Sequence, residues 1–396
     1  MDKRDRPIWV YGENEAIEID HSIQFTASNT FYTDVEKLSD TLGLAIHPCL
    51  KQEKQLPELP LQLDNIEKEE SKSPHSPQDS RTHDPTGGAG SPSEALKAGE
   101  KQEPKELSIF TKRLDRNSIH ILLTILPHSE ITTLKLGNNG FTSDNYKMLV
   151  SGLPNTKITQ MFFDWNPISD NSPLHYEEDP EEKDKISDSP YTRLIDNPHL
   201  EFLYLRSNAI DDNAVYAIAS AIIGNSTLRC LDLSRNRITK AGVDKLAEAL
   251  DSNRTLEYLG LACNDLVKED VLGFLQVFGK NPFPGELVEE HLKKVKERDQ
   301  IIDKNKKAKG KSEVPVPKVD AIEQVSDSEE WVVLKNLEFK HLNLALNKFD
   351  DTIASFASEL LTKMPSSFSL TISNKSYSRD LVKSLNNKFP DRIAMF

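Results

Sequence analysis

Three stretches of this sequence superimpose when it is shifted against itself by 28 residues. They read Leu200, Leu203, Leu205, Asn208, Ile210, then Leu228, Leu231, Leu233, Asn236, Ile238, then Leu256, Leu259, Leu261, Asn264, Leu266. Upstream, Ile131, Leu134, Leu136, Asn139, Phe141 and Ile158, Met161, Phe163, Asn166, Ile168 continue the pattern at a spacing of 27. Downstream, Phe339, Leu342, Leu344, Asn347, Phe349 resume it after a long insertion; Leu370, Ile372 and Tyr377 fall 28 residues beyond their counterparts, with Lys375 in place of the asparagine. A unit of this length cannot bury its apolar stripe alone, so the pattern requires units stacked on one another.

The physics of one unit explains the residue types. Leu-x-Leu sends two side chains to one face of a short strand and the intervening residues to the other. At the asparagine the chain leaves the strand, and an amide side chain satisfies backbone groups that the turn would leave unpaired. The second half of each unit has helical spacing. Asp211-Asp212 precede Val215, Ile218, Ala219, Ile222 and Ile223; Thr239 precedes Val243, Leu246, Ala247 and Leu250; Asp350-Asp351 precede Ile353, Phe356, Ala357, Leu360 and Leu361. Caps in register before three separate apolar runs mark three equivalent helices.

The pattern resembles the leucine-rich-repeat superfamily, and the period with one helix per unit resembles its 28-residue ribonuclease-inhibitor subtype. The resemblance covers most of residues 107–279 and 331–396. It implies an α/β solenoid with a curved parallel sheet on a concave face and helices on a convex one.

The composition along the chain divides it further. Residues 1–50 interleave Trp9, Tyr11, Ile17, Ile23, Phe25, Phe31 and Tyr32 with acids and are expected to form a docking segment. Residues 51–106 are rich in Pro, Ser, Glu and Lys and read as a disordered linker. Repeats fill 107–280, with an acidic insertion at about 171–197. The insertion at 281–330 begins with a charged helical pattern marked by Leu287, His291, Leu292, Val295 and Ile302, and turns lysine-rich and flexible. Residues 331–396 complete the repeats and a cap, with Ser378 starting a last helix.

A net charge of −14 disfavours nucleic acid and anionic lipid as partners. Three cysteines, Cys49, Cys230 and Cys263, form no CxxC pair, which fits a reducing, cytoplasmic setting better than a disulfide framework. No apolar run has the length of a signal peptide or a membrane span. Gly310-Lys311-Ser312 ends like a phosphate-binding loop, but Asn305 stands where glycine is required. The histidines show no HExxH arrangement, so neither metal nor cofactor is expected.

The expected function is protein–protein interaction by a non-enzymatic scaffold, since a repeat array offers surface rather than a deep pocket. Phe162, Trp165, Phe202, Tyr204, Arg206, Arg235, Tyr258 and His341 occupy outward or strand-end positions and are the candidate partner-binding residues. The long charged insertion and separate N-terminal segment resemble leucine-rich-repeat proteins of cilia and flagella, which implies axonemal or cytoskeletal partners. An alternative, implied by the same repeat subtype, is a GTPase-activating protein of the Ran GTPase activator type, with an arginine such as Arg206, Arg235 or Arg237 facing the nucleotide. Ribonuclease inhibition is the weaker relative, because the numerous repeat cysteines are absent. The repeat alignment makes Leu231 a core residue, so Leu231→Asp should abolish the cooperative unfolding transition, as followed by circular dichroism. A wild-type melting curve would refute the alignment.

Overall fold

The computed structural model describes residues 25–51, 104–168, 190–308, 314–326, 328–373 and 377–395. Residues 52–103 of the expected linker, most of the acidic insertion, Trp9 to Ile23 and Lys375 lie outside the described residues, and Glu106 at the linker's end belongs to the first strand. Nine strands form one parallel sheet in the order β1, β2, β3, β4, β5, β6, β10, β11, β12. They are β1 (Glu106–Phe110), β2 (Thr133–Gly137), β3 (Gln160–Phe162), β4 (Phe202–Tyr204), β5 (Cys230–Asp232), β6 (Tyr258–Gly260), β10 (His341–Asn343), β11 (Ser369–Thr371) and β12 (Ile393–Ala394). The helices are α1 (Phe31–Leu42), α2 (Arg116–Ile125), α3 (Ser143–Gly152), α4 (Thr192–Ile195), α5 (Asp212–Gly224), α6 (Lys240–Ser252), α7 (Phe274–Val277), α8 (Val288–Ala308), α9 (Ile353–Lys363) and α10 (Arg379–Lys388).

The register is that of the repeat. Leu203 pairs with Leu231, Leu231 with Leu259, and Leu259 with Leu342. All four leucines are fully buried, as are Val215, Ile218, Val243, Leu246, Ile353 and Phe356 on the helices, so one apolar core runs between sheet and helices. Burying a leucine contributes about 1.5–3 kcal/mol.

The asparagines form the ladder that the turn chemistry requires. The backbone N–H of Asn139, Asn166, Asn208, Asn236 and Asn264 each donates to the side-chain oxygen of the next asparagine, at 2.7, 2.7, 2.9, 3.2 and 2.8 Å, the last ending on Asn347. Each amide nitrogen donates back to a carbonyl of the preceding unit: Asn208 to Phe163, Asn236 to Leu205, Asn264 to Leu233 and Asn347 to Leu261. A second ladder follows the helices. Asn253 donates to the carbonyls of Ile222 and Asn225, and Asn336 to those of Leu250 and Asn253. Asn225 continues this ladder by donating to the carbonyl of Ile195.

Capping is partly shared between units. Asp211 caps α5 by accepting from the Ala214 N–H, as its position predicts. Thr239 occupies the cap of α6 but makes no side-chain cap bond. Asp212 from the preceding unit does that work, accepting from the N–H groups of Thr239 and Gly242. Asp351 reaches Ser378 N–H in the same way, while Ser378 itself caps α10.

At the first end, Phe31, Val35 and Leu38 of α1 join the common core, and α1 packs on α2. The second insertion is more structured than a charged helix with a flexible tail. β7 (Lys280–Phe283), β8 (Ala321–Gln324) and β9 (Trp331–Leu334) make an antiparallel sheet in the order β7, β9, β8. The expected helix forms as α8, and residues of the lysine-rich half lie along it: Asn305 bonds both backbone groups of Val314, and Arg298 donates to Val319. Lys335 pairs with Asp251 and Asp320, tying this sheet to α6. Its strands were missed because their apolar residues, Ile322 and Val332 among them, are only half-buried and follow no repeat.

Asn208→Ala should test the ladder. It leaves the Asn166 N–H and the Phe163 carbonyl without their partners inside the protein, at about 1–3 kcal/mol each. Urea unfolding should show a loss of about 2–6 kcal/mol, and a midpoint within error of wild type would show that the ladder does not hold the stack.

Candidate functional site

Residues flanking the buried leucines face away from the helices and fall into rows across the sheet. One row runs Gln160, Phe202, Cys230, Tyr258, His341 and Ser369; the next runs Lys135, Phe162, Tyr204, Asp232, Gly260 and Asn343. The parallel register sets neighbouring side chains about 4.8 Å apart along each row, which is close to a stacking distance for rings.

Two aromatic pairs exploit that spacing. Phe162 and Tyr204 stack with centroids 4.1 Å apart and planes within 2°. Tyr258 and His341 stack at 5.2 Å and 8°. Lys135 sits over the Phe162 ring at 5.2 Å and Arg206 over the Tyr204 ring at 5.6 Å, both within cation–π range. Arg206 is fixed by Asp164: one carboxylate oxygen accepts the Arg206 backbone N–H at 2.9 Å, and the other accepts Nε at 2.9 Å and Nη2 at 2.5 Å. Tyr258 Oη accepts from Asn343 at 3.2 Å, and His341 Nδ1 lies 2.6 Å from Ser369 Oγ.

Half-burial sets the protonation of the face. Burial pushes the Tyr204 and Tyr258 hydroxyls up to about 12, with the Cys230 thiol adding to the effect on Tyr204. Burial also pushes the Cys230 thiol up to about 12, so it is a packed thiol and not a nucleophile. His341 is lowered by burial, which keeps the ring neutral at pH 7. Arg206 is raised by its hydrogen bonds to Asp164 and is a permanent cation.

Of the sequence candidates, Phe162, Phe202, Tyr204, Tyr258 and His341 lie in strands on this face, with Arg206 just beyond β4. Trp165 and Arg235 do not occupy strand positions. Each lies in the turn before a ladder asparagine with φ of 59°, a left-handed conformation shared by Ser207, Cys263 and Leu346. The turn carries their side chains to the edge of the face, where Trp165 is 56% exposed. Along the opposite edge, Arg229, Glu257 and Lys340 form a chain of ion pairs at 2.6 and 2.7 Å beside a shallow groove of about 610 Å³ lined in part by Glu201 and Arg254. These charges were not singled out, because each occupies an ordinary polar position of its own repeat and only stacking aligns them.

A family model described as Leucine Rich repeat matches residues 196–219 and 224–247, the stretch that includes β4, α5, β5 and the start of α6. Fold and match together support a leucine-rich-repeat architecture, in which repeated units build a parallel sheet and pack helices against it. Two of the repeats read in the sequence are those matched. Leucine-rich repeats serve in general as modules that bind other proteins. No curated protein matches the chain. Among the described residues no helix is long and apolar enough to cross a membrane, and no group of three or more His, Cys, Asp or Glu is placed to hold a metal ion.

The Asp164–Arg206 pair has a consequence for mutagenesis. Asp164 is only 8% exposed, so Arg206→Ala leaves a largely buried carboxylate with one backbone donor. The guanidinium is partly solvated, which discounts the loss to about 1–2 kcal/mol. Urea unfolding of Arg206→Ala, Asp164→Asn and the double variant should show the double losing clearly less than the sum. Additive losses would mean that the pair does not stabilise the face.

Proposed function

We propose that the chain is a non-enzymatic protein-binding scaffold, that its repeats form a solenoid of the ribonuclease-inhibitor type, and that partners dock on its outward strand face. The observation that carries this reading is the aromatic face itself. Phe162, Phe202, Tyr204, Tyr258 and His341 are half-buried and held in register, and two stacked pairs order four of these rings before any partner arrives. Aromatic and arginine side chains with little conformational freedom left to lose are the residue types that dominate interface energetics. Trp165 and Arg235 extend the surface along its edge.

Axonemal or cytoskeletal partners and a ciliary location are proposals resting on the sequence resemblance alone. The GTPase-activator alternative would draw on Arg235 or Arg237, both exposed, since the Arg206 guanidinium is engaged by Asp164. Stimulated GTP hydrolysis across a panel of small GTPases would favour that alternative over a scaffold.

Trp165→Ala combined with Phe202→Ala probes the face while sparing the Asp164–Arg206 pair. Recovery of native partners with the full chain should fall at least about 30-fold, from losses of about 2 kcal/mol at a hot spot, while the melting temperature stays nearly unchanged. If that variant retains full binding and deletion of residues 281–330 abolishes it, the insertion is the docking element and the strand face is not.

A further inference from the structure

The centre of the strand face holds a largely buried carboxylate. Asp232 lies on β5 between Tyr204 and Gly260 in the row and is only 6% exposed. One oxygen accepts the Ser234 N–H at 2.9 Å. No salt bridge reaches it among the described residues, and Arg206, close enough to feel its charge, is held by Asp164.

Glycine at 260 shapes the place. A Cβ there would overlap the Asp232 carboxylate, so the missing side chain lets the carboxylate lie over β6 and form the floor of a depression in the row. The walls are Tyr204 on one side and Tyr258, with Asn343 on its hydroxyl, on the other. Tyr204 and Tyr258 belong to the strands flanking β5, about 10 Å apart, and both rings stand within reach of the Asp232 charge.

The same face shows what such a combination holds. Arg206 is gripped by the Asp164 carboxylate while it lies over the Tyr204 ring. Asp232 and Tyr258 bring an acid and a ring together at other positions of the register, Asp232 in line with Tyr204 and Tyr258 in line with Phe202, and there no salt bridge engages the acid among the described residues.

We propose that this depression receives a basic side chain, arginine or lysine, of a partner polypeptide, with Asp232 as counter-ion and the Tyr204 and Tyr258 rings as flanking walls. The inference rests on the strand face being the docking surface. A desolvated carboxylate favours a cation far more than a neutral group there, and an ammonium or guanidinium beside the Tyr258 ring gains cation–π attraction.

The probe is a random dodecapeptide phage library selected on the full chain, followed by synthesis of the enriched peptides. The expected result is enrichment of arginine or lysine. Replacing that residue by citrulline or acetyl-lysine should weaken binding to the wild-type chain about tenfold or more. The same replacement should cost little against Asp232→Asn, or against Gly260→Ala, whose methyl group displaces the carboxylate and which serves where Asp232→Asn fails to fold. Enrichment of acidic or purely apolar peptides, or an equal cost in wild type and variants, overturns the cationic assignment. Peptides that bind Phe202→Ala/Tyr258→Ala as well as wild type, or a selection yielding no binder, overturn the docking face itself.

Discussion

The asparagine ladder is the interaction on which the remainder of the molecule depends. A parallel strand of three residues satisfies little of its own backbone, and the chain must turn away from it before the helix begins. At that corner each asparagine accepts from the backbone of the unit before it and donates to a carbonyl of the same unit, as Asn208 does with the Asn166 N–H and the Phe163 oxygen. An aspartate would lack the donor and a leucine both groups. The ladder thus joins units in a direction that hydrophobic packing, being non-directional, cannot specify.

That corner also determines what the outward strand face looks like at its edge. The residue before each asparagine takes a left-handed backbone, uncommon for a residue with a side chain. Its N–H still continues the sheet pattern: Trp165 donates to the Arg206 carbonyl at 2.9 Å and Arg235 to that of Ala262 at 2.7 Å. Those bonds offset the local strain, so the position tolerates tryptophan, serine, arginine, cysteine and leucine in successive units. A position fixed in backbone and free in side chain is a place where sequence can vary without disturbing the stack.

Much of this was legible in the sequence, because the period dictates it. The strand leucines, the ladder asparagines and Asp211 as a cap follow from spacing, and the match over residues 196–247 falls on the most regular units. What escaped depends on relations between units. Asp212 caps the next helix rather than its own, the stacking of Phe162 on Tyr204 crosses a gap of 42 positions in the chain, and Asp232 becomes notable only when its neighbours prove to be a glycine and two tyrosines. A one-dimensional pattern shows which face a side chain takes, while its partners come from the units above and below.

The second insertion shows how strictly the array is kept. Both ladders cross it with the same offset of 83 residues, from Asn253 to Asn336 and from Asn264 to Asn347, so β6 pairs with β10 as β5 pairs with β6. The inserted residues leave after a helix and return before a strand, which places them outside the row of outward side chains. The Tyr258–His341 stack joins the units on either side of that departure. A face broken there would separate Asp232 and Tyr258 from His341; with the register intact, the inserted antiparallel sheet adds a neighbour to the strand face without interrupting it.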